Sequence, residues 1–222
     1  MFRNRKDAGR QLALKLKTRH LHHPLVLAIP RGGIVTGAAL ARDLGADLDV
    51  VLSRKLRDPQ NPELALGAVA EDGYVYVTPD ITLDEQLKRH IERETRHQIA
   101  EMARRKKLFR DVRGPAPVQG RSVMITDDGI ATGSTMTAAL QTIRAKEPRE
   151  IIVAVPVAPR DRLQSLAQLA DSVVCLESPE VFWAVGQFYE DFTQVEDEEA
   201  VREFRDFGPP QPESHQALLE HS

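Results

Sequence analysis

The sequence predicts an α/β domain built as a doubly wound parallel sheet, with a hairpin and a long helix inserted into it. Three observations predict this. Short apolar runs alternate along the chain with stretches of helical periodicity, which is the pattern of repeated strand–helix units. The runs are apolar on both alternating faces, as expected for strands covered from both sides. One long interruption, residues 56–120, breaks the rhythm.

Taken in order, residues 24–29 read as a short buried strand. Residues 33–44 follow with helical spacing at Ile34, Ala38, Ala41 and Leu44. Residues 48–52 form the second strand. Within the interruption, residues 69–77 read as a hairpin turning on Asp72-Gly73. Thr82 is the expected start of a helix to about Asp111, with Glu85 at the capping-box position. Its apolar positions (Leu87, Ile91, Ile99, Met102, Leu108) are sparse, so much of it is expected to face solvent. The run Arg104-Arg105-Lys106-Lys107 fits a solvated face better than a nucleic-acid or phosphate contact. The rhythm then resumes with a strand at 121–126, a helix at 134–145, a strand at 151–157, a helix at 160–169 and a strand at 173–176. A single domain over residues 1–208 is expected, with a loose, polar, Pro-rich tail at 209–222. No internal repeat is evident.

Hydrophobic residues make up 41% of the chain, enough for a sizeable core. Thirty basic residues against 33 acidic ones leave a formal charge of -3, so nucleic acid is not the expected partner. The single cysteine, Cys175, rules out a disulfide framework and a multi-cysteine metal site. It lies in an apolar run and reads as a buried structural thiol. The charged start of the chain has no apolar stretch after it, and no run approaches the roughly 18 apolar residues of a membrane span. The expected setting is a reducing cytoplasm.

The most specific feature follows the strand at 121–126. Asp127 and Asp128 arrive where that strand ends, at the sheet edge where open α/β sheets bind ligands. Adjacent carboxylates there suit a sugar diol and the water shell of a magnesium ion. Ala131, Thr132, Gly133, Ser134 and Thr135 then form a tight loop opening a helix. Its N–H groups and hydroxyls, with the positive end of the helix, suit a 5'-phosphate. A merely capped helix entry would explain the glycine and hydroxyls but not the two acids before them. The Gly-Lys-Ser/Thr ending of a nucleotide P-loop is missing.

This segment, Asp127-Asp128-Gly129-Ile130-Ala131-Thr132-Gly133-Ser134-Thr135, resembles the signature of type I phosphoribosyltransferases. The resemblance extends over about residues 24–192. It implies that Asp127 and Asp128 hold the ribose hydroxyls of phosphoribosyl diphosphate (PRPP) and, through water, Mg2+. It implies that residues 131–135 hold the 5'-phosphate.

Pro30-Arg31-Gly32-Gly33 follows the first strand at the same sheet edge. Two glycines permit close backbone approach and Arg31 supplies a forked donor. The turn resembles the family's pyrophosphate loop, so Arg31, Gly32 and Gly33 are expected at the diphosphate. A non-proline cis peptide is expected at Arg31-Gly32. Arg54 and Lys55 leave the second strand at this edge and are equal candidates for the diphosphate; two solvated cations is the competing reading.

The insertion falls where the family closes a mobile segment over the reaction centre. Residues 57–62 are turn-rich, and the long helix is expected as a hood or a dimer arm. Residues 182–192 are the one aromatic-dense stretch. They resemble the part of hypoxanthine-guanine enzymes where an aromatic ring stacks on the purine, which implies base stacking by Trp183. A small core under the sheet edge is the competing reading. Those enzymes carry an aspartate where this chain has Ala131, so no general acid or base is identified.

The expected activity is Mg2+-dependent transfer of the phosphoribosyl group to an acceptor, a nucleobase first among them, with release of diphosphate. The rival is a non-catalytic sensor of PRPP or nucleotides on the same fold. A hydrolase or phosphorylase of ribose phosphates ranks behind both. A homodimer through the long helix is an open possibility.

Overall fold

The computed structural model describes residues 1–58, 65–78, 81 and 84–208. Its centre is a five-stranded parallel sheet made of β1 (Leu25–Ala28), β2 (Asp47–Val50), β6 (Ser122–Thr126), β7 (Glu150–Val157) and β8 (Ser172–Glu177), in the order β2-β1-β6-β7-β8. The chain moves one way from β1 to β2 and the other way from β6 to β8. The topological switch point therefore lies between β1 and β6, whose ends open a crevice.

Both faces of the sheet are apolar, as expected for parallel strands covered on each side. Val26, Ala28, Leu48, Met124, Ile152 and Ala154 point into one core. Their neighbours Leu25, Leu27, Val123, Ile125, Ile151 and Val153 point into the other. The first core is closed by α1 (Arg5–Leu16), α2 (Gly32–Leu44) and α6 (Asp197–Phe207). The second is closed by α4 (Ser134–Arg144) and α5 (Arg160–Leu166).

Two of these helices, α1 and α6, lie outside the elements read from the sequence. The first is capped by Asn4, whose side chain accepts from the Asp7 N–H, and buries Ala8, Leu12, Ala13 and Leu16. It approaches α2 so closely that a Cβ on Gly9 would lie 2.3 Å from the Thr36 carbonyl oxygen. The second carries Asp197, Glu198 and Glu199 in its first turn, which favours the helix dipole, and buries Ala200 and Phe204.

The insertion folds back on the domain. An antiparallel sheet of β3 (Ser53–Arg57), β4 (Ala65–Ala70) and β5 (Val75–Val77) contains the expected hairpin. Gly73 takes φ +89° at its turn, and the Asp72 carboxylate accepts from the Tyr74 N–H. The long helix α3 (Glu85–Arg110) starts three residues later than expected, because the Asp84 side chain caps it by accepting from the Leu87 N–H. Thr82, residues 59–62 of the turn-rich segment and the tail 209–222 lie outside the described residues. Helix α3 buries Ile91, Gln98, Met102 and Phe109, and Phe109 meets Phe204 of α6 edge-on. Among the described residues no helix is long and apolar enough to cross a membrane.

Candidate active site

The crevice at the switch point is lined by a cavity of about 260 Å3 bounded by Pro30, Ser53, Arg54, Lys55, Arg105, Asp127, Ser134 and Thr135, among others. A second cavity of about 190 Å3 shares Lys55 and Ser134 with it and continues past Thr132 and Gly133 to Arg162 of α5. The structure thus brings together Asp127, residues 132–135 of the hydroxyl loop and both candidate cations of β3 along these two cavities.

The backbone turn from β6 into α4 builds the core of the site. Ile130 donates its N–H to the Val157 carbonyl, anchoring the turn to β7. Gly133 takes φ +77° immediately before α4, a left-handed conformation that favours glycine. Thr132 and Thr135 remain exposed and Ser134 half-buried, and the first N–H groups of α4 have no partner within the helix, the Ser134 N–H lying 3.5 Å from Thr132 Oγ1.

The acids are packed against the turn that follows β1. A Cβ on Gly32 would lie 1.9 Å from Asp128 Oδ2, and one on Gly33 would lie 2.9 Å from the Asp127 Cα. Residues with side chains at these positions would push the acids out of place. The cis peptide expected in this turn is present one residue earlier than read from the sequence, at Pro30-Arg31 rather than Arg31-Gly32. Helix α2 starts at Gly32, so the Arg31-Gly32 bond already feeds the helix.

Asp127 Oδ1 accepts the Asp128 N–H at 2.8 Å. Burial, reinforced by the charge of Asp128, holds the Asp127 carboxyl well above the usual carboxylate range. Asp128 is clamped from the opposite side. Arg5 of α1 donates Nε–H to its Oδ2 at 2.7 Å and Nη1–H to the Thr193 carbonyl at 2.8 Å. The Arg5 guanidinium lies 3.9 Å from the centre of the Phe192 ring. Tyr189 donates its hydroxyl to the Asp128 carbonyl at 2.6 Å, and burial first, then the charge of Asp128, push that phenol's pKa up. Neither Arg5 nor Tyr189 was read from the sequence as a site residue. Helical spacing after Asn4 would have revealed α1, but not where Arg5 points.

Of the expected ligands, Arg31, Gly32, Gly33, Asp128, Ala131 and Trp183 line neither of these cavities. The Arg31 side chain turns towards the start of α6, with Nη1 3.2 Å from Glu196 and 3.9 Å from Asp197. Trp183 is 85% exposed and does not line the cavity that holds Asp127. Its loop is nonetheless fixed: the Gln187 Oε1 accepts the N–H groups of Trp183 and Ala184, and its Nε2 donates to the Val181 carbonyl. The aromatic segment also forms the core expected as the competing reading, with Phe2, Tyr189, Phe182, Phe188 and Phe192 packed together.

The basic run of α3 keeps the solvated face expected for it at Arg104, Lys106 and Lys107, which are exposed, and departs from it at Arg105. Arg104 pairs with Asp197 at 2.5 Å and Lys106 donates to the Glu71 carbonyl. Arg105 is half-buried and lines the cavity. Cys175 is half-buried as well; burial pushes its thiol up to about 11 and Sγ donates to the Glu177 carbonyl.

A magnesium ion keeps most of its water and is held by one or two carboxylates together with substrate phosphates. Among the described residues no group of three His, Cys, Asp or Glu side chains forms a self-standing metal cage. The adjacent Asp127 and Asp128, which repel each other when both ionise, fit a cation that arrives with a polyphosphate.

Residues 3–193 match the phosphoribosyl transferase domain family. Two curated proteins from Mycobacterium tuberculosis strains, each bearing the name "Putative phosphoribosyl transferase", are 43% identical over 215 residues, 93% of this chain. The chain spans about half the length of these relatives, 48%. The crystal structure of TT1426 from Thermus thermophilus superposes with a TM-score of 0.88 at 42% identity, covering 93% of this chain and 98% of that one.

Proposed function

The chain belongs to the phosphoribosyl transferase domain family, and on that premise we propose that it transfers the 5-phosphoribosyl group of PRPP to a nitrogen of an acceptor, a nucleobase first among the candidates, with release of diphosphate. One observation carries this reading. Asp127, the Ser134 and Thr135 end of the phosphate loop, and the cations Arg54 and Lys55 without carboxylate partners converge on one cavity at the switch point of the sheet.

In the proposed reaction the C1–nitrogen bond forms as the bond from C1 to the diphosphate oxygen breaks. Positive charge grows on the ribose ring and negative charge on the leaving diphosphate. Asp127 and Asp128 lie where the ribose hydroxyls bind, beside the growing positive charge. Residues 131–135 hold the 5'-phosphate and so fix the ribose. Arg54 and Lys55 face the leaving group, and fixed charges in a partly desolvated cavity stabilise it more than water does. Mg2+ bound with the substrate would add positive charge at the diphosphate oxygens, with Asp127 and Asp128 as its protein contacts through water. Arg31 joins the diphosphate only by leaving Glu196 and Asp197, and Trp183 covers an acceptor only on its exposed side.

The second reading is a non-catalytic PRPP or nucleotide sensor. Ala131, in place of the aspartate of hypoxanthine-guanine enzymes, favours it, because no general base is supplied from that loop. A panel of bases incubated with the protein, Mg2+ and PRPP separates the two. Base-dependent diphosphate release supports the transferase, and saturable PRPP binding without release for any base supports the sensor. In the transferase, the double variant Asp127→Asn, Asp128→Asn is expected to lose turnover while keeping a folded circular-dichroism spectrum. Full turnover in that variant would remove the assignment of the acids.

A further inference from the structure

Helix α3 places Gln98, Met102, Arg105 and Phe109 on one stripe, at spacings of four, three and four residues. Such a stripe faces the body of the domain. Gln98, Met102 and Phe109 obey that expectation and are buried. Arg105 occupies the remaining position. Its guanidinium meets a cavity instead of a core, because the stripe crosses the opening bounded by β3 and the start of α4.

The charges around this cavity are unbalanced. Four cations, Arg54, Lys55, Arg57 and Arg105, line it with one acid, Asp127. Among the described residues Arg54, Lys55 and Arg105 make no ion pair and no side-chain hydrogen bond. Elsewhere three buried or half-buried arginines are paired with carboxylates, Arg5 with Asp128, Arg110 with Asp49 and Glu71, and Arg121 with Asp47, while Arg113 donates to the Leu48 carbonyl and keeps a buried Nε without a partner. Desolvation, and then the charges of Arg54, Arg31 and Arg104 against that of Asp197, lower the Arg105 pKa. The Ser53 hydroxyl, buried at the same cavity, also lacks a partner. Half-buried cations held together without counter-charge, beside an orphaned hydroxyl, call for a multiply charged anion.

We propose that α3 is a fixed wall of the diphosphate subsite and that Arg105 is one of its phosphate ligands, acting with Arg54 and Lys55. This rests on the phosphoribosyl reading of the site. The insertion then does more than cover the crevice: it supplies a cation from an element packed onto the domain by Phe109 and Arg110. Substrate does not have to order this wall before the guanidinium can bind. The family-type turn at Arg31 is left tied to α6 until the ligand arrives.

Calorimetric titration of the full chain tests this with two probes in the presence of Mg2+: inorganic diphosphate and ribose 5-phosphate. Arg105→Ala is expected to weaken diphosphate binding roughly 10- to 100-fold, the range of a charge-assisted hydrogen bond. Ribose 5-phosphate, held by residues 131–135, is expected to bind within about twofold of wild type. Arg105→Lys should recover part of the loss. Lys107→Ala, which removes an equal charge from an exposed pair with Asp111, should change neither affinity. Unchanged diphosphate binding in Arg105→Ala, or equal weakening of both probes, overturns the role of Arg105. Wild-type protein that binds neither probe nor PRPP overturns the reading beneath it.

Discussion

At the scale of single residues, the site is governed by close approach. Gly32 and Gly33 leave room for carboxylates, so their first partner is the acid pair itself. Gly32→Ala sets a methyl 1.9 Å from Asp128 Oδ2, and either the acid or the turn must move. Overpacking of this kind costs about 1–3 kcal/mol. The expected outcome is a lower melting temperature together with weaker ribose 5-phosphate and PRPP binding; a variant unchanged in both would show that the turn yields freely. Asp127, Asp128 and the hydroxyl loop were legible in the sequence because adjacent acids, a glycine and hydroxyls after a buried strand have one economical use. Arg5 and Arg105 were not, because a guanidinium in a charged helix looks the same whether it meets water or a cavity. Cys175 gives a check on the other side of the molecule. With its thiol pushed up to about 11, it is protonated at neutral pH. Iodoacetamide at pH 7.5 is expected to label it slowly in the folded protein and fast in urea; equal rates would show that the half-buried thiol is open.

At the scale of elements, the parallel strands were readable because both their faces are apolar, and their observed limits differ from those expected by a residue or so at most ends. The helices α1 and α6 were overlooked for a physical reason. Each is strongly charged, and each buries a narrow stripe against α2 or α3 instead of a broad face against the sheet. The position of α3 was equally hidden, since sparse apolar residues suit an arm as well as a wall. What holds it is local and ionic as well as apolar. Arg110 donates Nη1–H to Asp49 at 2.7 Å and pairs with Glu71, while Arg113 lies 3.8 Å from the Phe204 ring centre. Although burial acts to lower it, the pKa of Arg110 is raised by Glu71 and Asp49. The Asp49 side chain is 3% exposed, so removing its partner leaves a buried charge. Arg110→Ala is expected to destabilise the protein by about 3–5 kcal/mol, read as a shift of the urea midpoint. A shift below about 1 kcal/mol would mean that α3 is held by its apolar stripe and that water reaches Asp49.

At the scale of the whole molecule, the chain closes on its own site. Phe2 donates to the Phe188 carbonyl, Glu190 donates to the Phe2 carbonyl, and Arg5 and Tyr189 both end on Asp128. The start of α1, the aromatic segment and the acid pair are therefore one structural unit, and the ionisation of Asp127 is linked to the stability of the fold. The sign follows from Asp127. Its carboxyl titrates higher in the folded protein than its ordinary value of 3.8, so the folded state holds more protons than the unfolded one between those two values. Stability contributed by this group is present at low pH and is lost as pH rises from about 3.8 through the raised folded value. The carboxylates whose values are lowered, such as Asp7, Asp171 and Glu203, act in the opposite sense and only as pH falls into their range. Comparing wild type with Asp127→Asn isolates the term: above pH 4 the wild-type stability should decline relative to the variant, by at most about 1.4 kcal/mol per unit of pH. Saturating Mg2+ and diphosphate should then flatten the decline in wild type, because Mg2+ brought close to Asp127 favours its ionised form and the bound ligand stabilises the folded state by mass action. Parallel stability curves for the two proteins, with and without ligand, would show that Asp127 ionises without cost and that the acid pair does not carry this linkage.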